Sequence, residues 1–343
     1  MPDNDERDSE ETHHRSPVGK PEGDAEEPTG TEAEDKPLPE GVAATPIELL
    51  EEMMQEGMED EALDALTAEE AAEYYHVPQE PTVEELLEEV DTGVRAPLVE
   101  IFTSIQGEGL FVGLQQIFIR FAGCDLRCPW CDTPEALEEP GDEVWCQSKA
   151  GVRGFSIPNP ACVDDVVDVV KRMLKYDEDD AIHSISLTGG EPLMRPEFVA
   201  ALATMLRRFD LPIMLETNGQ RPDDLQQVLR MIDWVAADFK LDSAMGRPMD
   251  AEARREFLRL AQYKRVFVKV VVTEDADDEE MADVFDQIAD VDPACPVFLQ
   301  PVTPVNDVRP PGGLDLLRYR ALALRRLRDV RIMPQVHKVL GLP

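Results

Sequence analysis

This chain of 343 residues is short of several things, and each shortage excludes a class of protein. No stretch approaches the run of about 20 apolar residues that spans a bilayer, so no membrane-embedded segment is expected. The opening residues, MPDNDERDSE, lack a basic segment followed by an apolar core, so no secretory leader is expected. Cysteine is scarce: six in all, too few and too scattered for a disulfide framework. Without an export signal those thiols read as reduced side chains or metal ligands in a cytoplasmic protein. Basic residues are short too, 33 Lys and Arg against 72 Asp and Glu, for a formal net charge of −39. Such a chain repels nucleic-acid phosphates, which argues against general DNA or RNA binding.

The acidity is uneven. Residues 1–95 carry 31 acidic and 5 basic side chains, a net of −26 that leaves −13 for residues 96–343. Residues 1–42 are mostly Glu, Asp, Pro, Gly and Thr, too polar to offset the entropy of ordering, and are expected to be disordered. Within 46–90, PIELLEEMMQEGMEDEALDALTAEEAAEYY and TVEELLEEV have the pattern of acidic amphipathic helices. They read either as a docking arm or as a solvated acidic extension.

From residue 96 the texture changes. Short apolar runs (LVEIFTSI, QIFIRFA, SISLTGG, PIMLET, DWVAADFK, RVFVKVVV, PVFLQPV) alternate with helix-period stretches at 163–175, 196–209, 222–231, 251–262 and 278–289. Strands alternating with helices predict βαβ units on an all-parallel sheet, an α/β fold with its working residues at the strand C-terminal ends. The unusual residues fall there: TGG, ETNG, DFK and LQP each end a run.

The densest chemistry is GCDLRCPWCDT, with Cys124, Cys128 and Cys131 inside eight positions. Three readings compete. A structural zinc site takes four ligands, commonly in two pairs, whereas Cys146, Cys162 and Cys295 are scattered singly. A redox dithiol would use CPWC and leave Cys124 unexplained. A [4Fe–4S] cluster held by three thiolates would leave one iron open to a small molecule.

The Cys-x3-Cys-x2-Cys spacing, with Trp130 before the last cysteine, resembles the cluster motif of the radical S-adenosylmethionine (SAM) superfamily. That resemblance implies a partial, TIM-like (β/α) barrel and a cluster whose open iron chelates SAM. An electron then releases a 5′-deoxyadenosyl radical that takes a hydrogen atom from substrate. SLTGGEP at 186–192 resembles the superfamily's SAM-amine motif. Gly189 and Gly190 let backbone approach a ligand, and Glu191 offers a carboxylate to an ammonium.

IFTSIQGEGLFVGLQQIFIRFAGC followed by CDT is more specific, and resembles the 7-carboxy-7-deazaguanine synthases across residues 97–343. These convert 6-carboxy-5,6,7,8-tetrahydropterin to 7-carboxy-7-deazaguanine with loss of ammonia. The resemblance implies Mg²⁺ as a further cofactor, a homodimer, and a flavodoxin or ferredoxin-type electron donor. It also implies substrate contacts from Ile105, Gln106, Gly107, Arg120, Thr188, His337 and the Pro343 carboxylate. If Pro343 reaches substrate, the chain is expected to stop there. The Mg²⁺ ligand would be Thr133, and the SAM contacts Trp130, Cys131, Asp132, Gly190, Glu191 and Gln300. Glu216 is expected near the SAM ribose or the radical's path.

Two departures stand out. Where the family has Ser-Pro-Lys touching SAM, this chain has Asp238, Phe239 and Lys240, and all three are carried over as contacts. The span 134–161 is longer than a tight connection, with the expected role of covering the site or meeting a partner copy. Two rivals share part of the pattern. A glycyl-radical activase would share the cluster and GGEP, and a non-catalytic iron–sulfur or zinc protein would need a fourth ligand.

Overall fold

The computed structural model describes residue 87 and residues 90–343, apart from 139, 148–153 and 178–180. The disorder expected for 1–42, and the helices expected within 46–90 save Leu87 and Val90, lie outside the described residues.

Seven of the sheet's strands run parallel in the spatial order β3 (Gln115–Phe121), β7 (Ile182–Gly189), β8 (Ile213–Thr217), β9 (Trp234–Lys240), β10 (Arg265–Val272), β11 (Val297–Pro301) and β12 (Val330–Ile332). The linking helices are α1 (Val163–Lys175), α2 (Pro196–Leu206), α3 (Pro222–Val228), α4 (Asp242–Met245), α5 (Ala251–Ala261), α6 (Asp278–Ala289) and α7 (Gly313–Ala323), and α8 (Val336–Leu340) follows β12. This is the expected partial (β/α) barrel.

The sheet is not all-parallel. β2 (Leu98–Ile105) pairs antiparallel with β3, its Ile101 opposite Ile119. Beyond β2 lie β4 (Glu143–Cys146), parallel to it, and β5 (Phe155–Pro158), antiparallel to β4. The reason is local: only the short turn 106–114 joins β2 to β3, and a parallel return needs a crossover of a dozen or more residues. The long span 134–161 therefore builds a β4–β5 edge of the sheet. A second small pairing joins β1 (Arg95–Ala96) to β6 (Ala161–Cys162).

The elements form where the sequence chemistry asks. In α1, Val163, Val166, Val167, Val170 and Met173 recur at helical spacing and are buried. α5 begins at Asp250, whose carboxylate accepts from the amides of Glu252 and Ala253, and α6 begins likewise at Asp277. In β10, seven of eight residues are buried, because helices cover one face of the sheet and the barrel interior the other.

The barrel interior is layered. Met214, Ala236, Phe267 and Phe298 form an apolar plug with Phe111. Two residues further along each strand, on the same face, come Glu216, Asp238, Lys269 and Gln300. The plug is a floor and the polar layer stands on it. Phe267, 1% exposed and edge-on to Phe298 at 5.6 Å, is its centre. Phe267→Ala is expected to cost about 3–5 kcal/mol of unfolding free energy, measured by urea denaturation at neutral pH.

Candidate active site

The polar layer and the loops above it enclose one cavity at the C-terminal end of the barrel. The cysteine loop follows β3 directly and forms one wall, with Cys124, Cys128, Trp130, Cys131, Asp132 and Thr133 on the lining. Its start is held by glycine contacts. A Cβ on Gly190 would stand 1.9 Å from the Gly123 carbonyl oxygen, so only glycine lets these strand ends close. The Glu191 amide donates to that same carbonyl at 2.8 Å. Further along the loop, Asp125 accepts from Asn218 at 2.8 Å and from Arg221 at 3.0 Å, which ties the loop to the end of β8.

The three thiols are free, and Cys124 and Cys128 are pushed up by burial, Cys124 to about 11. Among the described residues, the one His/Cys/Asp/Glu group whose ligand atoms all lie within 4.8 Å of one another is Glu108, Asp132 and His337. A thiolate-only donor set spread along one loop fits a multi-iron cluster better than zinc.

Charge is organised around one ammonium. Lys269, 5% exposed, donates to Glu108 at 2.5 Å and to Glu216 at 3.4 Å. Burial alone would raise the Glu108 pKa, but the charge and hydrogen bond of Lys269, with Gln335, hold it down at about 2. Burial opposes the charge of Lys269, yet Glu108, Glu216 and Asp238 raise its pKa well above the usual value. Glutamines complete the network: Gln300 and Gln335 donate to Glu108, and Gln106 donates to Glu216, which also accepts from Ser186.

Arg120 crosses the cavity wall with its Nε on Glu100 at 2.9 Å and one terminal nitrogen on the Thr133 hydroxyl at 3.1 Å. Asp238 accepts from Lys240 at 2.5 Å through one oxygen, while its buried Oδ1 has no partner among the described residues. That orphaned acceptor fits a ligand hydroxyl or amine. From the far end of the chain, the Val336 amide donates to the Gly107 carbonyl at 2.9 Å, and the Ser104 hydroxyl donates to Pro343 O at 3.1 Å. A Cβ on Gly107 would lie 2.0 Å from His337 Nδ1, so glycine is what admits α8 here. Burial lowers the His337 pKa and favours the neutral imidazole.

Most of the expected residues meet in this cavity: Ile105, Gln106, Gly107, Arg120, Trp130, Cys131, Asp132, Thr133, Thr188, Gly190, Glu216, Asp238, Lys240, Gln300, His337 and Pro343. Two do not line it. Phe239 points to the other face of β9, 1% exposed, because successive strand side chains alternate. Glu191 lies beneath the wall, accepting from the Leu193 and Asn218 amides and the Thr217 hydroxyl. Burial raises its pKa to about 7 despite those bonds. Glu108, Asn218, Lys269 and Gln335 line the cavity without having been expected. Lys269 had a signal, a lysine in the middle of RVFVKVVV. The other cysteines stand apart. Cys146 and Cys295 are buried thiols pushed up to about 12, and Cys162 donates to Asp165 at the start of α1.

Comparison with known proteins places the chain in a family. The model of the radical SAM superfamily matches residues 118–288, so fold and cysteine loop together define a radical SAM protein. A 7-carboxy-7-deazaguanine synthase from Geobacter sulfurreducens is 38% identical over 249 residues, covering 72% of this chain and 97% of that relative. One from Methanothermobacter thermautotrophicus is 31% identical, covering 73% of this chain and 98% of its own length. The crystal structure of QueE from Escherichia coli aligns over 76% of this chain and all of its own, at 20% identity and a TM-score of 0.47. The chain belongs to the 7-carboxy-7-deazaguanine synthase family.

The ion cluster gives a testable pH dependence. A carboxylate whose folded pKa is depressed adds stability above its unfolded value of about 4.5, and loses it as pH falls through about 2. Lys269→Met leaves the largely enclosed Glu108 and Glu216 without their cation, an expected loss of about 3–5 kcal/mol at pH 7. That loss should shrink towards pH 5 as Glu108, which burial raises once Lys269 is gone, takes up a proton, in urea melts run across the range.

Proposed function

We propose that the chain converts 6-carboxy-5,6,7,8-tetrahydropterin to 7-carboxy-7-deazaguanine with release of ammonia, as a radical SAM carbon–nitrogen lyase. What carries the reading is the meeting, in one cavity, of a three-cysteine loop with Arg120, Thr133, His337 and Pro343. Residues 96–343 make up the catalytic unit in this reading. The acidic segment 1–95 is an extension, since relatives matched over 97–98% of their length cover only 72–73% of this chain.

Cys124, Cys128 and Cys131 would hold the [4Fe–4S] cluster, and Trp130, Asp132, Gly190, Asp238, Lys240, Glu216 and Gln300 would surround SAM. Reduced and loaded, that pair supplies a carbon-centred radical able to take a hydrogen atom, which no side chain here can do. The protein's own residues bind, aim and shield. Among the described residues Arg120 keeps a guanidinium nitrogen free beyond its bonds to Glu100 and Thr133, and its planar fork suits the substrate carboxylate. The Thr133 hydroxyl beside it would complete Mg²⁺ coordination, a hard cation that keeps part of its water. Gln106 and the backbone of Ile105 and Gly107 read the polar edge of the pterin, and neutral His337 presents a ring nitrogen from above. Lys269 holds Glu108 as a carboxylate, well below the usual range, and is itself held charged by the acids around it. A homodimer supplied with electrons by a flavodoxin or ferredoxin-type donor completes the reading.

Anaerobic reconstitution with iron and sulfide, followed by reductant, SAM, Mg²⁺ and carboxytetrahydropterin, should yield the deazaguanine by mass spectrometry. SAM cleavage over an intact cluster without that product would reject the substrate and leave the superfamily standing. Arg120→Lys keeps charge and loses the fork. It is expected to lower kcat/KM by about 10–100-fold, mostly through KM, with the cluster absorbance unchanged.

A further inference from the structure

A thread of polar side chains runs behind the cavity lining, through a part of the barrel that aliphatic residues could fill. Gln116 on β3 and Ser184 on β7 stand opposite one another in the strand register, and both are 0% exposed. Neither lines the cavity. Burying an amide and a hydroxyl costs stability unless their polar atoms are paired. Their bonds show what the polarity serves. Gln116 Nε2 donates to the Ser184 hydroxyl at 2.6 Å, and Gln116 Oε1 accepts from Gln106 Nε2 at 2.9 Å. Ser184 Oγ also stands 2.9 Å from His183 Nδ1.

The direction of the thread is set at its cavity end. Glu216, ion-paired with Lys269, accepts, so the Gln106 group that meets it at 3.1 Å is Nε2. The Glu108 amide can only donate, so the Gln106 atom that it meets at 3.0 Å is Oε1. Gln116 therefore turns its oxygen to Gln106 and its NH2 to Ser184, which leaves the Ser184 proton for His183 Nδ1. Both Nε2 hydrogens of Gln106 are occupied, one by Glu216 and one by Gln116. Its main chain is closed as well: the amide donates to the Leu114 carbonyl and the carbonyl accepts from Gly113, both at 2.8 Å. What Gln106 keeps for a ligand is the second lone pair of Oε1.

We propose that Gln116 and Ser184 are positioning residues for the substrate: they hold the Gln106 amide from behind and occupy its spare hydrogen, so that Gln106 meets the pterin as an acceptor only. The proposal rests on the pterin reading above and names what aims this wall of the site. Such a wall selects a donor-bearing edge, as the ring N–H and amino groups of a tetrahydropterin provide. The Asp238 Oδ1, without a partner among the described residues, adds a further acceptor to the same cavity.

Calorimetric titration of carboxytetrahydropterin into the anaerobic holoenzyme, with SAM and Mg²⁺ but no reductant, tests this. Gln116→Met keeps the length of the side chain and removes the acceptor, so the Gln106 amide should swing towards cavity water to satisfy its freed hydrogen. The substrate Kd should rise about 10-fold, with the cluster absorbance unchanged. Glu216 keeps Ser186 and Lys269, so the SAM Kd should stay within about 2-fold. Gln116→Glu should bring substrate binding back to within about 3-fold of wild type, because a carboxyl buried there takes up a proton, donates it to Ser184 and accepts from Gln106. Should Gln116→Met fail to fold, Ser184→Ala, which frees Gln116 at its far end, should raise the substrate Kd about 3-fold. A folded variant of either kind that binds substrate as wild type does overturns the positioning role and keeps the pterin reading. Equal losses of substrate and SAM affinity overturn it too, and so does a Gln116→Glu that binds no better than Gln116→Met. A wild-type holoenzyme that does not bind carboxytetrahydropterin overturns both.

Discussion

A buried ammonium cannot stand alone in a barrel, and much of this site follows from that constraint. Lys269 sits 5% exposed at the middle of β10 and is tolerable there because Glu108 and Glu216 reach it from different elements. The pairing fixes the turn between β2 and β3, which carries Glu108, against the strand ends of β8 and β10. Glu108 in turn is where Gln300 and Gln335 converge, so the C-terminal segment is joined to the same hub. A polar network this deep persists only if its members are satisfied, and it also sets the electrostatics that a substrate meets.

The layering beneath it explains how one sheet serves both packing and chemistry. Period-two alternation sends Met214 and Glu216 to the same face, with the aliphatic Leu215 on the other. The same step takes Ala236 to Asp238, Phe267 to Lys269 and Phe298 to Gln300. Each strand thus contributes a dry lower residue and a polar upper one, and water is kept from the floor without a separate lid. The cysteine loop closes over this layer because Gly190 lets backbone approach the Gly123 carbonyl, while Gly123 itself turns at a φ of 93° that favours glycine.

How far the sequence reached can be seen element by element. The helix-period stretches at 163–175 and 278–289 coincide with α1 and α6, and LVEIFTSI and RVFVKVVV coincide with β2 and β10, because periodicity reports which faces are buried. The cysteine loop was legible from its spacing, and Arg120 and Thr133 through the resemblance of the motif around it. What the sequence could not carry was direction and distance between remote segments. The antiparallel β2, the inward turn of Glu191 beneath the wall, the meeting of Glu108 with Lys269 across 161 positions and of Gly107 with His337 all arise only when the barrel closes. Composition and local pattern determined that strands would alternate with helices around a thiolate loop, and the barrel was implied by the resemblance those motifs carry. Tertiary structure alone decided which charges face one another, since the chain encodes that only through packing.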